Sequence, residues 1–233
     1  MKYIYIIFFF LVFNTFSNAD CLTGTGKTIE DKVYLPSVTS LIIEVPMNLV
    51  LTPSQDESVL VKTNEDILNN LIFNYDNGEL VIKGRQDLCP TDLTIYISLK
   101  NLNSIVLNSN TKLTSTSTFR TEDFELEING SSDVNLSIEA EEIEVELDGS
   151  GQVILSGTAE EVYISSDGNG SIDAGKLLSE EVSAEQDGNG TIIVNPSKSL
   201  HAKLNGNGKI LYKNKPKEIE IEKDGNGIID KTK

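Results

Sequence analysis

From Phe124 onward the chain alternates apolar and polar residues with a period of two. Phe124, Leu126 and Ile128 are followed by Val134, Leu136 and Ile138, then by Ile143, Val145 and Leu147, then by Val153 and Leu155. The pattern returns at Leu200, Ala202 and Leu204 and at Ile210 and Tyr212. Such alternation predicts strands with one buried face, and no helical period competes with it. Between the apolar positions stand Glu125, Glu127, Glu144, Glu146, Glu220 and Glu222, which puts negative charge on the outer surface.

The strands are punctuated by six copies of one tetrapeptide, [ND]-G-[SN]-[GS]. Their first glycines are Gly130, Gly149, Gly168, Gly188, Gly206 and Gly225, at spacings of 19, 19, 20, 18 and 19 residues. Asn108-Ser109-Asn110 reads as a weaker earlier copy in which the glycine is lost. Glycine beside Asn or Asp tolerates positive φ, so each motif predicts a corner. A unit of about 19 residues cannot bury its own apolar face and must stack on its neighbours. The expected fold is all-β: a single-stranded, right-handed parallel β-helix, the hand following from the crossover rule for parallel strands. Residues 91–233 would supply about seven turns spaced by about 4.8 Å. Leu126, Val145, Ile164 and Leu204 are expected to lie over one another, and Asn169, Asn189, Asn207 and Asn226 to form a stacked amide ladder.

Residues 20–90 read as β without the repeat, and so as an irregular cap on the solenoid. Candidate strands run from Leu41 to Val45, Leu49 to Thr52, Val59 to Thr63, Leu71 to Tyr75 and Leu80 to Lys83. Asp76-Asn77-Gly78-Glu79 predicts a hairpin turn between the last two. Asn64 to Leu68 predicts one helical turn capped by Asn64.

The first 19 residues have a different character. A positive start at Lys2, an apolar run from Tyr3 to Phe13 and the small residues Ser17 and Ala19 predict a secretory signal peptide cleaved after Ala19. The apolar run is too short to span a bilayer. Asp20 stands where a lipoprotein signal wants a small residue, which disfavours acylation of Cys21. In an oxidising compartment Cys21 and Cys89 are expected to pair.

Charge and residue chemistry narrow the function. The formal net charge of −17 repels nucleic acid and anionic membranes, leaving cations, basic proteins and neutral glycans as better-matched partners. Two cysteines and the single His201 make no metal-ligand set, and no cofactor is expected. Asp148, Asp167, Asp187 and Asp224 could stack as a calcium column, but Asn129 and Asn205 interrupt it, so turn chemistry is the better reading. A polysaccharide-active enzyme would need basic or paired acidic groups converging in a groove. Here the only arginines are Arg85 and Arg120, the carboxylates spread along a regular surface, and His201 reads as an exposed repeat-face residue, so no catalytic residue is assigned. Tyr163 and Tyr212 are scattered and mark no aromatic stripe.

Five features, Gly24-Thr25-Gly26, the turn at Asn64 to Leu68, Asn77-Gly78-Glu79-Leu80-Val81-Ile82, Leu93-Thr94-Ile95-Tyr96-Ile97 and the repeated glycine corners, together resemble the DUF2807 family. That family, common in Bacteroidetes, carries the description "putative auto-transporter adhesin, head GIN domain". The resemblance covers residues 21 to 230 and departs at Ser132 and Asn110, where the earliest corners lack a glycine. It implies a β-helical fold, a place in the cell envelope and an adhesin or binding role with glycans or surface proteins as partners. It brings no catalytic residues. A structural envelope component without a specific ligand is the alternative.

Overall fold

A computed structural model describes residues 21–232 apart from residue 35; the predicted signal peptide lies outside the described residues. One continuous hydrogen-bonded sheet of nineteen strands winds into a β-solenoid. Its N-terminal strands are β1 (Thr28–Tyr34), β2 (Ser40–Ile43), β3 (Met47–Pro53), β4 (Ser58–Asn64), β5 (Leu71–Asp76), β6 (Glu79–Gly84), β7 (Leu93–Leu99), β8 (Ser104–Leu107) and β9 (Thr111–Ser115), with helix α1 (Glu65–Asn70) between β4 and β5. The rest are β10 (Phe119–Arg120), β11 (Asp123–Gly130), β12 (Asp133–Gly149), β13 (Gln152–Gly168), β14 (Ser171–Gly188), β15 (Thr191–Val194), β16 (Pro196–Gly206), β17 (Lys209–Tyr212), β18 (Glu218–Asp224) and β19 (Ile228–Lys231).

From β8 on, the chain coils in order through about seven turns, every inter-coil pairing parallel, with register shifts only between Ile154 and Ser156 of β13 and between Ser179 and Glu181 of β14. Each coil has a long side, exemplified by β11 and by residues 142–149 of β12. A middle side follows the glycine corner, and a short third side begins where Phe119 pairs with Ile138. The alternating pattern dictates which side chains enter the core. Along the long side Leu41, Ile105, Leu126, Val145, Ile164, Ala184 and Ala202 form one buried column, each directly over the next. Ile43, Leu107, Ile128, Leu147, Ser166, Gln186 and Leu204 form the next column. This corrects one expected alignment: Leu204 belongs to the second column, and Ala202 continues Leu126, Val145 and Ile164. Ala202 and Leu204 are two positions apart and both buried, so alternation alone does not tell their columns apart.

Two polar residues sit inside the second column. Gln186 is fully buried and donates Nε2 to the carbonyls of Ser166 and Asp187, while its Oε1 and Ser166 Oγ have no hydrogen-bond partner among the described residues. Space for the amide comes from two corner glycines: a Cβ on Gly190 would fall 2.9 Å from Gln186 Oε1, and one on Gly208 would fall 2.9 Å from Gln186 Cγ. Gly157 marks another constraint. Its φ is +127°, and a Cβ there would fall 1.8 Å from the carbonyl oxygen of Ile138 in the coil beneath, so only glycine lets the two backbones approach.

The region read as a cap does more than cover an end. β5 pairs antiparallel with β6, and β1 and β4 pair antiparallel beside β7, which closes the first layer with strands of opposite direction. β2 and β3, however, lie within the stack. β2 pairs in parallel with both β6 and β8, and β3 with both β7 and β9. The layer containing residues 40–53 is therefore sandwiched between the layers containing 79–99 and 104–115. Residues 100–103 bridge past it, with Asn103 N donating to Thr39 O at 2.8 Å.

The turn at Asn77-Gly78 has positive φ at both residues, 48° and 90°, as the tight two-residue hairpin demands. Asn64 occupies the N-cap of α1, but its side chain makes no capping bond and donates instead to Gly26 O at 3.1 Å. The expected side-chain cap is thus redirected to hold the N-terminal segment. Asp66 does the same from the helix, accepting from Thr25 N at 2.8 Å and from the Thr25 hydroxyl at 3.0 Å. Cys21 and Cys89 are disulfide-bonded across a sequence separation of 68, a closure worth about 4 kcal/mol in the chain-entropy account. These ties, with backbone bonds from Leu22 N to Asp87 O and from Cys89 N to Leu22 O, hold the segment before β1.

Leu147→Ala should cost about 2–5 kcal/mol, the range for an unrelaxed core cavity, whereas Ser166→Ala one coil further on should change stability by less than about 1 kcal/mol because its hydroxyl has no bond to lose. Urea unfolding of the two variants checks this contrast. Partial burial alone would raise the Asp66 carboxyl, but the hydrogen bonds from Thr25 and Ile67 outweigh it and hold the group below the ordinary carboxylate range. A lowered pKa gives stability that is present above the unfolded value and lost as pH falls through the folded one. Asp66→Asn should accordingly be slightly less stable than the parent at pH 7, and the gap in melting temperature should close on acidification.

Candidate functional site

The outward positions of the long side form the most distinctive surface of the molecule. Strand alternation puts Glu125, Glu127, Glu144, Glu146, Glu161 and Glu185 on it, and in-register stacking sets Glu125 beside Glu144 and Glu127 beside Glu146. Neighbouring strands lie about 4.8 Å apart, so like charges are forced close. Relief comes from a cation placed one coil away: Lys203 pairs with Glu185. In the neighbouring column His201 Nδ1 lies 3.4 Å from Glu220 Oε2. The Lys203 ammonium is held above its usual range by the hydrogen bond to Glu185 and by that residue's charge. Away from this face the same one-coil pairing recurs between Lys198 and Glu180 and between Arg120 and Glu139, the latter at 2.7 Å.

Three shallow concavities open on the long side. One of about 330 Å³ lies over Val182 and Leu200 and is bordered by Glu161, Tyr163, Glu181 and His201. A second, of about 270 Å³, lies between Glu144, Glu146, Tyr163 and Glu185. A third, of about 440 Å³, is bordered by Ser104, Asp123, Glu125 and Glu144. Tyr163 stands between the first two. Its hydroxyl donates to Glu161 Oε2 at 2.7 Å, and that bond, with the carboxylate's charge, raises the phenol above its usual pKa.

The corner residues picked out by spacing come together at one edge of this face. Gly130, Gly149, Gly168, Gly188 and Gly206 are aligned by the strand register. Gly225 follows, and a Cβ on it would fall 2.4 Å from Gly206 O. Gly188 shows why the position resists substitution: φ is +118°, and a Cβ would approach Gly168 O to 2.5 Å. Asn189 Nδ2 donates to Asn169 Oδ1 at 3.1 Å and Asn207 Nδ2 to Asn189 Oδ1 at 3.4 Å, both exposed to solvent. Among the described residues no such bond continues to Asn226. Asn129 Nδ2 donates to Asn108 Oδ1 at 2.9 Å, which ties the weaker early copy to the same corner column. Asp148, Asp167 and Asp187 are successive in the register, Asn205 separates Asp187 from Asp224, and no group of three or more His, Cys, Asp or Glu side chains among the described residues is placed to hold a metal ion. Cys21 and Cys89 lie in the N-terminal part, where Leu22 bridges to Leu88.

The sequence reading took Tyr163 and His201 as isolated residues. Counting by the coil length joins them: Tyr163 pairs with Ser183, Ser183 with His201 and His201 with Glu220.

A parallel β-solenoid with a carboxylate-lined side defines the class of a repeat protein that presents an extended surface. The family model described as "Putative auto-transporter adhesin, head GIN domain" (DUF2807) matches residues 38–216, and the chain belongs to that family. Among solved structures, a "putative adhesin" of Bacteroides fragilis is 22% identical, with a TM-score of 0.86 over 91% of this chain and 100% of that one. A "putative adhesin" of Parabacteroides distasonis is 22% identical, with a TM-score of 0.74 over the same shares. A "putative lipid binding protein" of the same species is 17% identical, with a TM-score of 0.72 over 92% of this chain and 100% of that one. At these identities the likeness shows the fold. No curated protein matches.

If stacked glutamates repel across the long side, screening them should stabilise the protein. Between about 0.01 M and about 1 M sodium chloride the screening length falls from roughly 30 to 3 Å, and the melting temperature should rise by a few degrees. A melting temperature that falls with salt would show instead that the inter-coil ion pairs outweigh the repulsion.

Proposed function

We propose that this protein is an exported, non-catalytic adhesin-type module of the cell envelope that binds partners across the long side of its solenoid. The observation that carries the reading is the coincidence on one face of three concavities with outward carboxylates repeated at the coil spacing. A surface that repeats every few ångströms suits a ligand that repeats as well, such as a glycan chain or an extended surface protein. Export is supported by the Cys21–Cys89 disulfide, and no helix among the described residues is long and apolar enough to cross a membrane. The family and the structural neighbours bear adhesin or binding names and none an enzyme's. On this reading residues 20–90 supply both the closing antiparallel strands and one layer within the stack, and residues 91–233 present the repeat.

The test is an array of glycans and host surface proteins probed with the chain from Asp20, in parallel with a Glu144→Lys/Glu146→Lys variant of the long side and an Asp133→Lys variant of the middle side. Binding that the first variant loses and the second keeps is the expected result. An array on which the parent binds nothing would leave a purely structural envelope role, and loss of binding in both variants would move the site off the long side.

A further inference from the structure

We infer that the concavity between Tyr163 and His201 is a subsite for one saturated ring bearing a protonated amine, that is, an amino-sugar residue of a glycan. This deepens the adhesin reading and rests on it. Three observations carry the inference.

The first is shape. Tyr163, Ser183 and His201 are consecutive residues of one outward column, so the two rings flank a position occupied only by a hydroxymethyl group. Two strand spacings separate the walls by about 9.6 Å, and a ring laid over Ser183 would have each wall about 4.8 Å from its centre. That is contact distance for a puckered ring against an aromatic face. A flat guanidinium sandwiched at about 3.5 Å from each wall needs only about 7 Å and would leave a gap, so the slot favours a sugar over an arginine side chain. The volume of about 330 Å³ is at the lower end for a small-ligand site, room for about one or two sugar rings.

The second is fixation of the walls. Tyr163 is held through its hydroxyl to Glu161 at 2.7 Å, and His201 faces Glu220 at 3.4 Å. Each ring is oriented by a carboxylate before any ligand arrives, which lowers the ordering cost of binding.

The third is charge. Glu181 borders the same concavity, is exposed, and has no hydrogen bond or ion pair from its side chain among the described residues. Glu218, also exposed, borders the concavity from the next coil; with Glu161 and Glu220 committed to the walls, Glu181 and Glu218 are the acceptors for a cation on the ring, and Glu181 lies on the strand of Ser183, at the floor of the slot. An N-acetylated sugar offers no positive charge to this carboxylate, so the free amine sets the specificity.

The experiment uses the disulfide-bonded chain from Asp20 with two probes, a β-1,4-linked glucosamine tetramer and its fully N-acetylated counterpart, followed by titration calorimetry at low and moderate salt. The expected result is binding of the glucosamine tetramer, with the acetylated one at least about tenfold weaker. Ser183→Phe should abolish binding by filling the slot while leaving every charge in place, and circular dichroism confirms that it folds. Tyr163→Ala should weaken binding by up to about tenfold, the scale of one aromatic contact, and Tyr163→Phe should retain most of it. Glu181→Gln should weaken it, whereas Glu127→Gln, on the same face outside the slot, should not.

Unchanged binding in Ser183→Phe, or equal losses in Glu181→Gln and Glu127→Gln, would reduce the effect to non-specific attraction and overturn the subsite. Equal affinity for the two tetramers would overturn the amine requirement, and preference for an arginine-rich peptide over both would assign the slot to a protein partner. If neither tetramer binds while the array still shows ligands lost in Glu144→Lys/Glu146→Lys, the subsite fails and the adhesin reading stands.

Discussion

In this solenoid every residue must tolerate its own equivalent about 4.8 Å above and below it. Parallel, in-register pairing from β8 to β19 turns each position of the repeat into a column, and each column answers the constraint in its own way. Inward columns are built mainly of Leu, Ile, Val and Ala, which gain by contact with their like, with Ser166 and Gln186 as the polar interruption of one column. The corner column is glycine, because the carbonyl of the preceding corner lies where a Cβ would have to go. The adjoining asparagines exchange amide hydrogen bonds from coil to coil.

Charged residues meet the same constraint least comfortably. Glutamates stacked in register repel, and the chain compensates by placing cations exactly one coil away rather than along the same strand, as in Lys203 with Glu185, Lys198 with Glu180 and Arg120 with Glu139. The acidic side is thus tolerated by the fold and not required by it. A surface of stacked like charges that also carries three of the concavities is where the proposed binding role fits best.

Much of this architecture could be read from one sequence because the stack repeats in chain order. The glycine corners near a 19-residue period marked the coils from residue 124 on, and alternation marked the buried side of each strand. What escaped has a topological cause. The physical neighbours of β2 lie in β6 and β8, so Leu41 meets Leu80 and Ile105 instead of a residue about 19 positions away. Interleaving the layers erases the period even though the columns continue through them unbroken. Leu204 was misaligned for a smaller reason: it lies two positions past Ala202, the true equivalent of Leu126, and period-two alternation gives both residues the same inward face. Gly157 carried no motif, since its need for glycine comes from the backbone of Ile138 in another coil. The slot at Tyr163 was hidden likewise: its two walls are 38 residues apart in sequence and meet only when the coils are counted.

The interleaved layer also dictates the order in which the molecule can be assembled. A chain emerging from its N-terminus delivers β2 and β3 long before either of the strands that flank them, and Thr52 waits 64 residues for the Thr116 hydroxyl that bonds to it. Both edges of that layer stay bare meanwhile, so growth cannot begin at the N-terminus and spread along the solenoid as it can in a simple repeat protein. Completing that layer is a distant closure with its own entropic cost, whereas each later coil needs only the coil just before it. The most expensive closure in the chain thus falls in the part of the sequence in which no repeat can be seen.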